Sequence, residues 1–472
     1  MINKIKIKGL RGFGVEKKIC LSKADNVNIG SGLNVFVGPN NSGKTTIIEA
    51  LKYFNASSEN GISFSEGKRN RKTLEKVEIS YYYDSLNQKG EKCENISTLK
   101  TIEQGGSEVE ILYPATNSKI PFVLNSRRYA NYEMHNNRSF SDRYNYSLNN
   151  LSNYKNRGVT LDNFDQRVFS WNKNKEKFDK ILNRIIKNAF DWVIEQNEQG
   201  QYYIKICYGN GIHHNREGIG DGMWSIFTIV DALYDSQVDD VIIIDEPELS
   251  LHPSYQKELL YLLEEYSRDR QIIISTHSPY FVSWSSILNG GNLIRTYKNP
   301  DEDIEIGYLD KNDKTFIKQL LADLNNPHTL GLEAKEVFFL PDNILIVEGQ
   351  EDKVILQKIA ASLNCEIIPE IFGWGAGGAD KIIGLVRVLK HLGYQKVSIL
   401  YDGDKELDYN NCLKEFPEYN VEKLFANDIR DKKAINKPKK LGISSTKGIV
   451  KSQFKMKTIN LIERINKYHE IV

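Results

Sequence analysis

Apolar positions follow three rhythms along this chain, and each predicts a different kind of element. Residues 2–8 (I-N-K-I-K-I-K) alternate, the period of a half-exposed strand. Residues 33–37 (L-N-V-F-V), 241–244 (V-I-I-I), 272–274 (I-I-I), 344–347 (I-L-I-V) and 397–401 (V-S-I-L-Y) are short apolar runs that end abruptly in glycine or polar residues. Runs of that length and ending are strands buried on both faces, as in parallel sheets. A helix is expected from Gly43 to about Tyr53, and strands of an antiparallel layer at 76–83 and 97–113. Residues 162–197 carry a helical period through Phe164, Val168, Trp171, Phe178, Ile181, Ile185, Phe190 and Val193.

These rhythms divide the chain. Residues 1–124 and 201–312 are expected to form one α/β core, resuming at 202–208 after an insertion over 125–200. The insertion opens with an Asn-, Tyr-, Ser- and Arg-rich stretch and turns partly helical. A helical linker is expected over 313–340 and a second α/β unit over 341–472. No internal repeat is present.

The first buried run ends at G-P-N-N-S-G-K-T, residues 38–45, a complete G-x-x-x-x-G-K-[ST] loop between a strand and a helix. Gly38 and Gly43 let the backbone turn, so that amides of Asn40, Asn41, Ser42, Gly43, Lys44, Thr45 and Thr46 face phosphate oxygens at the positive end of the helix. Lys44 is positioned for the β- and γ-phosphates of ATP, and Thr45 for Mg²⁺. The run 241–244 delivers Asp245 to the same Mg²⁺ and Glu246 to the attacking water. The run 272–274 ends near His277, a hydrogen-bond donor for the γ-phosphate.

The two later runs end in acid. Glu348 follows the first, with Asp352 four residues on; Asp402 and Asp404 follow the second. Neighbouring parallel strands bring such residues to one crevice. Glu348, Asp402 and Asp404 are therefore expected to converge, which is unfavourable without a divalent cation. Oxygen ligands of this kind suit Mg²⁺ or Mn²⁺ and phosphodiester hydrolysis. Glu348 is read as a metal ligand or general base, Asp402 and Asp404 as ligands, and Asp352 as a ligand to a second metal or an orienting group. Glu422, Asp428 and Asp431 are candidates for completing a second metal site.

The formal net charge of +1 says nothing about nucleic acid, but residues 427–457 hold nine Lys and one Arg against two Asp. A basic stretch beside metal-binding carboxylates suits the phosphate backbone of DNA; a solvated lysine-rich tail has the same composition. The five cysteines lack metal-like spacing, and no apolar run reaches membrane-spanning length. A reduced, cytoplasmic protein without a membrane segment is the expectation.

The ATP motifs resemble the ATP-binding-cassette (ABC) class, in its SMC/Rad50-like and OLD-like branch, where D-E-P-E-x-x-L-H-P follows the strand; residues 245–253 match. That resemblance implies a signature segment completing the ATP site of a second subunit. It falls on residues 216–225, with Gly220 and Gly222 offering backbone amides in trans, so a homodimer or higher homo-oligomer is implied. Arg127 and Arg128 resemble arginines that contact nucleotide or the dimer partner. The E-G-x-x-D and D-x-D segments are the Toprim pattern. Together the halves resemble the OLD (overcoming lysogenisation defect) family of ATP-dependent endonucleases, which includes the Gabija nuclease subunit and retron-associated effectors. The fold implied is α/β: an ABC-type P-loop ATPase with a helical insertion, then a Rossmann-like Toprim domain. Lys447 resembles the lysine that many of these nucleases carry after the Toprim core, to stabilise charge on the scissile phosphate. The function implied is a Mg²⁺-dependent DNA endonuclease or nickase gated by ATP, in antiphage defence, with a helicase or reverse transcriptase as a candidate partner. The rival reading is an ATP-dependent clamp or sensor with a silent Toprim domain.

Overall fold

The computed structural model of the protein describes residues 1–54, 62–70, 72, 76–86, 92–102, 107–112, 121–126, 175–187, 191–196, 202–208, 212–214, 220–340, 342–432, 440–445 and 448–470. The chain divides into two compact units, Met1–Glu305 and Ile306–Val472.

The first unit is built on the buried runs. A six-stranded sheet has the spatial order Ile304–Tyr308, Asn292–Lys298, Leu33–Val37, Gln271–Ser275, Val241–Asp245, Phe122–Leu124. The strands from Asn292–Lys298 to Phe122–Leu124 pair in parallel. Every residue of Leu33–Val37, Val241–Asp245 and Gln271–Ser275 is buried, as expected for strands covered on both faces. The alternating strand Ile2–Lys8 lies instead in a five-stranded antiparallel sheet with Lys17–Cys20, Glu78–Leu86, Lys92–Thr101 and Val109–Leu112. Gln271 ties the two sheets together. Its side chain accepts from the Ile2 N–H at 2.8 Å and donates to the carbonyls of Ile2 and Ser22 at 2.7 and 2.9 Å.

Three local expectations change. The run 97–113 is two strands, Lys92–Thr101 and Val109–Leu112, folded back on each other. Among the described residues of 162–197, Lys175–Ile186 is a helix and Asp191–Gln196 is a strand. Trp192 is buried while Val193 is exposed, the alternation of a strand; Phe164, Val168, Trp171 and Phe190 of the expected helical pattern lie outside the described residues. Tyr202–Tyr208 pairs with that strand in a separate three-stranded antiparallel sheet rather than resuming the main one. Phe178 of the helix stacks on Phe227 and meets Trp192 edge-on.

The second unit holds a four-stranded parallel sheet in the order Glu370–Ile371, Ile344–Val347, Val397–Tyr401, Asn420–Lys423. The chain leaves Ile344–Val347 to one side and returns to Val397–Tyr401 on the other. The crevice beyond the carboxyl ends of those two strands is therefore the switch point, where α/β sheets bind ligands. Leu345, Val347, Ile355, Leu356, Ile359, Leu400, Leu461 and Ile465 form the core between this sheet and the helices Gln350–Ser362 and Lys455–His469. The short helices Lys311–Leu321 and Leu332–Glu336 also belong to this unit.

Candidate functional site

Two sites emerge, one in each unit. In the first, Leu33–Val37 runs into Gly38, whose φ of 137° only glycine adopts easily. Gly43, at φ 97°, caps the helix Lys44–Lys52. The Lys44 ammonium donates to the carbonyls of Gly38 and Pro39 at 2.8 and 2.9 Å, folded onto its own loop. Burial pulls its pKa down to about 8, against the opposing pull of Glu246, Glu248 and Asp245. Such an ammonium gains most from an anion that replaces lost water.

The strand register delivers the acidic side of the site. Asp245 lies level with Ser275, and Ser275 with Phe36, so all three strand ends face the phosphate loop. Glu246 takes φ 49°, with its N–H donating to the Ser275 carbonyl at 2.8 Å. His277 Nε2 stands 4.0 Å from Glu246 Oε1. Burial, and then the charge on Lys44, lowers the His277 pKa, which favours the neutral imidazole. A cavity of about 730 Å³ covers the loop; Asn40, Asn41, Lys44, Thr45, Glu246 and His277 lie in its wall. Arg11, Arg69, Lys72 and Lys298 add positive charge to the same wall. The size suits a nucleotide, and the charge suits its triphosphate. Gly43 and Thr46 also line it, while Ser42 turns inward and its hydroxyl meets Thr296 Oγ1 at 2.6 Å.

Sequence reasoning missed Glu248. Its partly buried carboxylate accepts from the Thr276 hydroxyl at 2.7 Å and the His277 N–H at 2.5 Å, joining two strand ends. The signal was present as the second acid of D-E-P-E. Gly220 caps the helix Asp221–Asp235, and neither it nor Gly222 lines the cavity of its own chain. A Cβ on Gly222 would lie 2.3 Å from the Ser250 carbonyl oxygen, so close packing against the loop after Glu248 already requires a glycine there. Residues 216–219, Arg127, Arg128 and Lys447 lie outside the described residues.

In the second unit the carboxylates gather at the switch point with altered membership. One oxygen each from Asp352, Asp402 and Asp428 lies within 4.8 Å of the other two, and all three residues are buried. Glu348 stands beside this group and its Oε1 accepts the Asp402 N–H at 2.8 Å. Asp404, two residues past the strand end, pairs with Lys440 at 2.6 Å. The expected trio of Glu348, Asp402 and Asp404 is thus replaced at the centre by Asp352, Asp402 and Asp428. The reason is tertiary: the strand Asp428–Arg430, paired in parallel with Gly442–Ser444, carries Asp428 into the crevice. Asp352 is placed by its helix, where it caps the Gly349 N–H at 2.8 Å. Of the other second-site candidates, Glu422 holds Arg464 through both oxygens at 2.8 Å and Asp431 holds Lys451 at 2.7 Å.

Electrostatics fit a cation here. Burial, then repulsion by Asp352, Glu348 and Asp428, pushes the Asp402 pKa up to about 8. Burial likewise raises Glu348 to about 7 and Asp352 to about 6. Carboxylates crowded and desolvated in this way hold protons that a divalent ion displaces. Positive charge rims the group: Lys432 meets Asp428 at 2.8 Å, and Arg430 meets Glu351 at 2.5 Å.

Comparison with known proteins bears on the first unit. A family model described as "AAA domain, putative AbiEii toxin, Type IV TA system" matches residues 33–283. The OLD nuclease of Thermus scotoductus is 29% identical over 154 residues, covering 31% of this chain and 28% of that protein. The chain thus spans under a third of that relative's length. Septu protein PtuA of Bacillus thuringiensis is 26% identical over 336 residues, 66% of this chain and 79% of that protein. A solved SMC head bound to the C-terminal winged-helix domain of ScpA is 15% identical, with a TM-score of 0.43, covering 66% of this chain and 98% of its own. Because the family model takes in more than half of the 472 residues, and with them the phosphate loop, Asp245 and His277, the chain belongs to the AAA ATPase family so described and has OLD nucleases among its relatives.

Proposed function

We propose that this protein is a divalent-metal-dependent DNA endonuclease whose cleavage site lies in the second unit and is gated by ATP in the first. The observation that carries the reading is the buried Asp352–Asp402–Asp428 group with Glu348 beside it, at the switch point of a parallel sheet. The second unit is then a Toprim domain. Asp352, Asp402 and Asp428 would hold Mg²⁺ or Mn²⁺, with Glu348 and Asp404 at its edge. A cation bound there supplies positive charge to a phosphodiester and acidifies a water. Glu348, pushed to a pKa of about 7 by burial, is suited to take a proton from that water near neutral pH. Lys432, Lys440 and Lys451 neutralise acids in the crevice rim and are the described residues best suited to the DNA backbone. Lys447, which lies outside the described residues, is assigned to stabilise charge on the scissile phosphate on its resemblance to the lysine of OLD-family nucleases.

In the first unit, Lys44 binds the β- and γ-phosphates. Asp245 and Thr45 hold the nucleotide's Mg²⁺, Glu246 orients the water, and His277 contacts the γ-phosphate. Gly220 and Gly222 at the head of Asp221–Asp235 serve the ATP site of a second copy, so ATP assembles a homodimer. We extend the proposal to antiphage defence on the resemblance of the two halves to the OLD family. Among the described residues no helix is long and apolar enough to cross a membrane.

The test is nicking and linearisation of supercoiled plasmid with Mg²⁺ or Mn²⁺, with and without ATP. Cleavage by the wild type that disappears in both Asp402→Ala and Glu348→Ala supports the assignment. Undiminished nicking in both variants refutes it.

A further inference from the structure

A second group of metal-type ligands lies in the Ile306–Val472 unit, formed by other residues than the carboxylate crevice. Asp310, Asp313 and His391 each offer one ligand atom within 4.8 Å of the other two. Asp310 precedes the helix Lys311–Leu321, Asp313 is in its first turn, and His391 ends the helix Ala379–His391. The helices pack closely: a Cβ on Gly384 would lie 2.4 Å from the Phe316 ring. This contact explains why the two ends meet, but not why they meet through two acids and an imidazole.

Part of the chemistry is a helix cap. Asp310 Oδ1 accepts the Asp313 N–H at 2.8 Å, and Asp313 Oδ2 accepts the Asp310 N–H at 2.9 Å. His391 Nδ1 is 2.7 Å from Asp313 Oδ2 and 3.8 Å from Asp310 Oδ2. The cap leaves one atom unaccounted for. The Asp313 side chain is 1% exposed, and its Oδ1 has no hydrogen-bond partner. A buried carboxylate with one oxygen unsatisfied is costly, and a hydrogen bond to the other oxygen does not relieve it. A cation held by the Asp313 carboxylate together with Asp310 and His391 neutralises its charge.

We propose that Asp310, Asp313 and His391 form a divalent-cation site that takes a zinc-type ion. Zn²⁺ binds imidazole nitrogen and carboxylate oxygen at about 2.0–2.2 Å, which puts neighbouring ligand atoms about 3–3.5 Å apart. The 2.7 and 3.8 Å separations bracket that range, so small side-chain rotations suffice. An imidazole ligand favours Zn²⁺ over Mg²⁺, which prefers oxygen alone. Asp310 and His391 are 45% and 36% exposed, which leaves a path for the ion and a position for water as fourth ligand. The ion clamps the helix Lys311–Leu321 to the C-terminal end of Ala379–His391. The other end of that helix starts at Gly378, whose N–H donates to the Glu348 carbonyl at 2.9 Å. The clamp therefore anchors the helix that abuts the carboxylate crevice.

The experiment is Zn²⁺ stoichiometry by equilibrium dialysis on the full chain, repeated with Co²⁺ and its visible absorption. Wild type, His391→Gln, Asp313→Asn, Asp402→Ala and the double variant carrying His391→Gln and Asp402→Ala are compared. His391 is partly exposed, and glutamine keeps a donor for Asp313, so His391→Gln folds even if Asp313→Asn does not. The expected result is loss of about one equivalent of Zn²⁺, with its Co²⁺ absorption, when His391→Gln is introduced into wild type and equally when it is introduced into Asp402→Ala, where the crevice is disabled. Equal Zn²⁺ binding by His391→Gln and wild type overturns the site. A loss seen in Asp402→Ala but not in His391→Gln overturns it as well, by assigning the bound metal to the crevice.

Discussion

The phosphate loop and the carboxylate crevice solve opposite electrostatic problems. Around Lys44 the chain gathers positive charge and backbone amides for an anion, and the key ammonium is pulled down by burial. Around Asp402 it gathers negative charge for a cation, and the key carboxyl is pushed up by burial. In each case desolvation disfavours the charged side chain until the ligand arrives. The difference is in how the chain builds them. One loop of eight residues supplies most of the first site. The second needs Glu348 and Asp352, Asp402, and Asp428, segments from a helix and two separate sheets that only the tertiary fold brings together.

The strongest way to break this pairing is to disable each half alone. Lys44→Ala is expected to lower ATP hydrolysis by about 10³-fold or more, and to leave divalent-metal binding by the second unit unchanged. Asp402→Ala is expected to lower plasmid cleavage by at least about 10²-fold, with ATP hydrolysis kept within about twofold. Parallel ATPase and nuclease assays on both variants check this. Loss of both activities in Asp402→Ala would mean the units share one function rather than two coupled ones.

That contrast also sets what could be read from residues in order. The phosphate loop, Asp245 and Glu246 were legible because a buried strand and a following turn are local, and the chemistry sits inside one motif. The parallel strands Leu33–Val37, Val241–Asp245, Gln271–Ser275, Ile344–Val347 and Val397–Tyr401 were legible for the same reason, as continuous apolar runs, whereas Asn292–Lys298, Glu370–Ile371 and Asn420–Lys423 were not. Asp428 was visible only as one of three candidate acids, because its place depends on the pairing of Asp428–Arg430 with Gly442–Ser444. Glu422, equally plausible in the sequence, is turned aside by Arg464. Asp191–Gln196 looked helical because Val193 falls on the helical spacing of Phe178, Ile181 and Ile185, and its pairing with Tyr202–Tyr208 leaves no mark in that spacing.

Two intermediate effects sharpen the comparison. Asp428→Asn is expected to weaken divalent-metal binding at the crevice by about 10–100-fold, whereas Glu422→Gln leaves it unchanged; isothermal titration with Mn²⁺ separates them. Equal weakening by both would return Glu422 to the metal site. On the ATP side, Glu248→Gln is expected to slow hydrolysis by about 10-fold with little change in ATP affinity. The Glu248 carboxylate positions the Thr276 and His277 strand end and lies behind the residues lining the cavity. A large rise in KM for ATP with kcat unchanged would contradict that positioning role.

The smallest expected effect lies outside both sites and concerns stability. His469 ends the last described helix, with Nε2 2.8 Å from Ser398 Oγ and Nδ1 3.2 Å from Asn343 Oδ1. It is 1% exposed, and burial, then the charge on Lys396, lowers its pKa to about 4. An unfolded chain titrates histidine near 6.5. Between these values the unfolded state binds more protons, so this contribution is complete above about pH 6.5 and is lost as pH falls towards 4. Its size is about 1–3 kcal/mol. The crevice carboxyls shift in the other direction, with raised pKa values, so the pH dependence of wild type alone is a mixture. Comparison with His469→Gln cancels them, since the glutamine keeps a polar contact to Ser398 but does not titrate. Thermal melts of both full chains at pH 7.5 and 5.0 are expected to show wild type losing more on acidification. Parallel shifts in the two proteins would mean that His469 is as accessible to protons folded as unfolded.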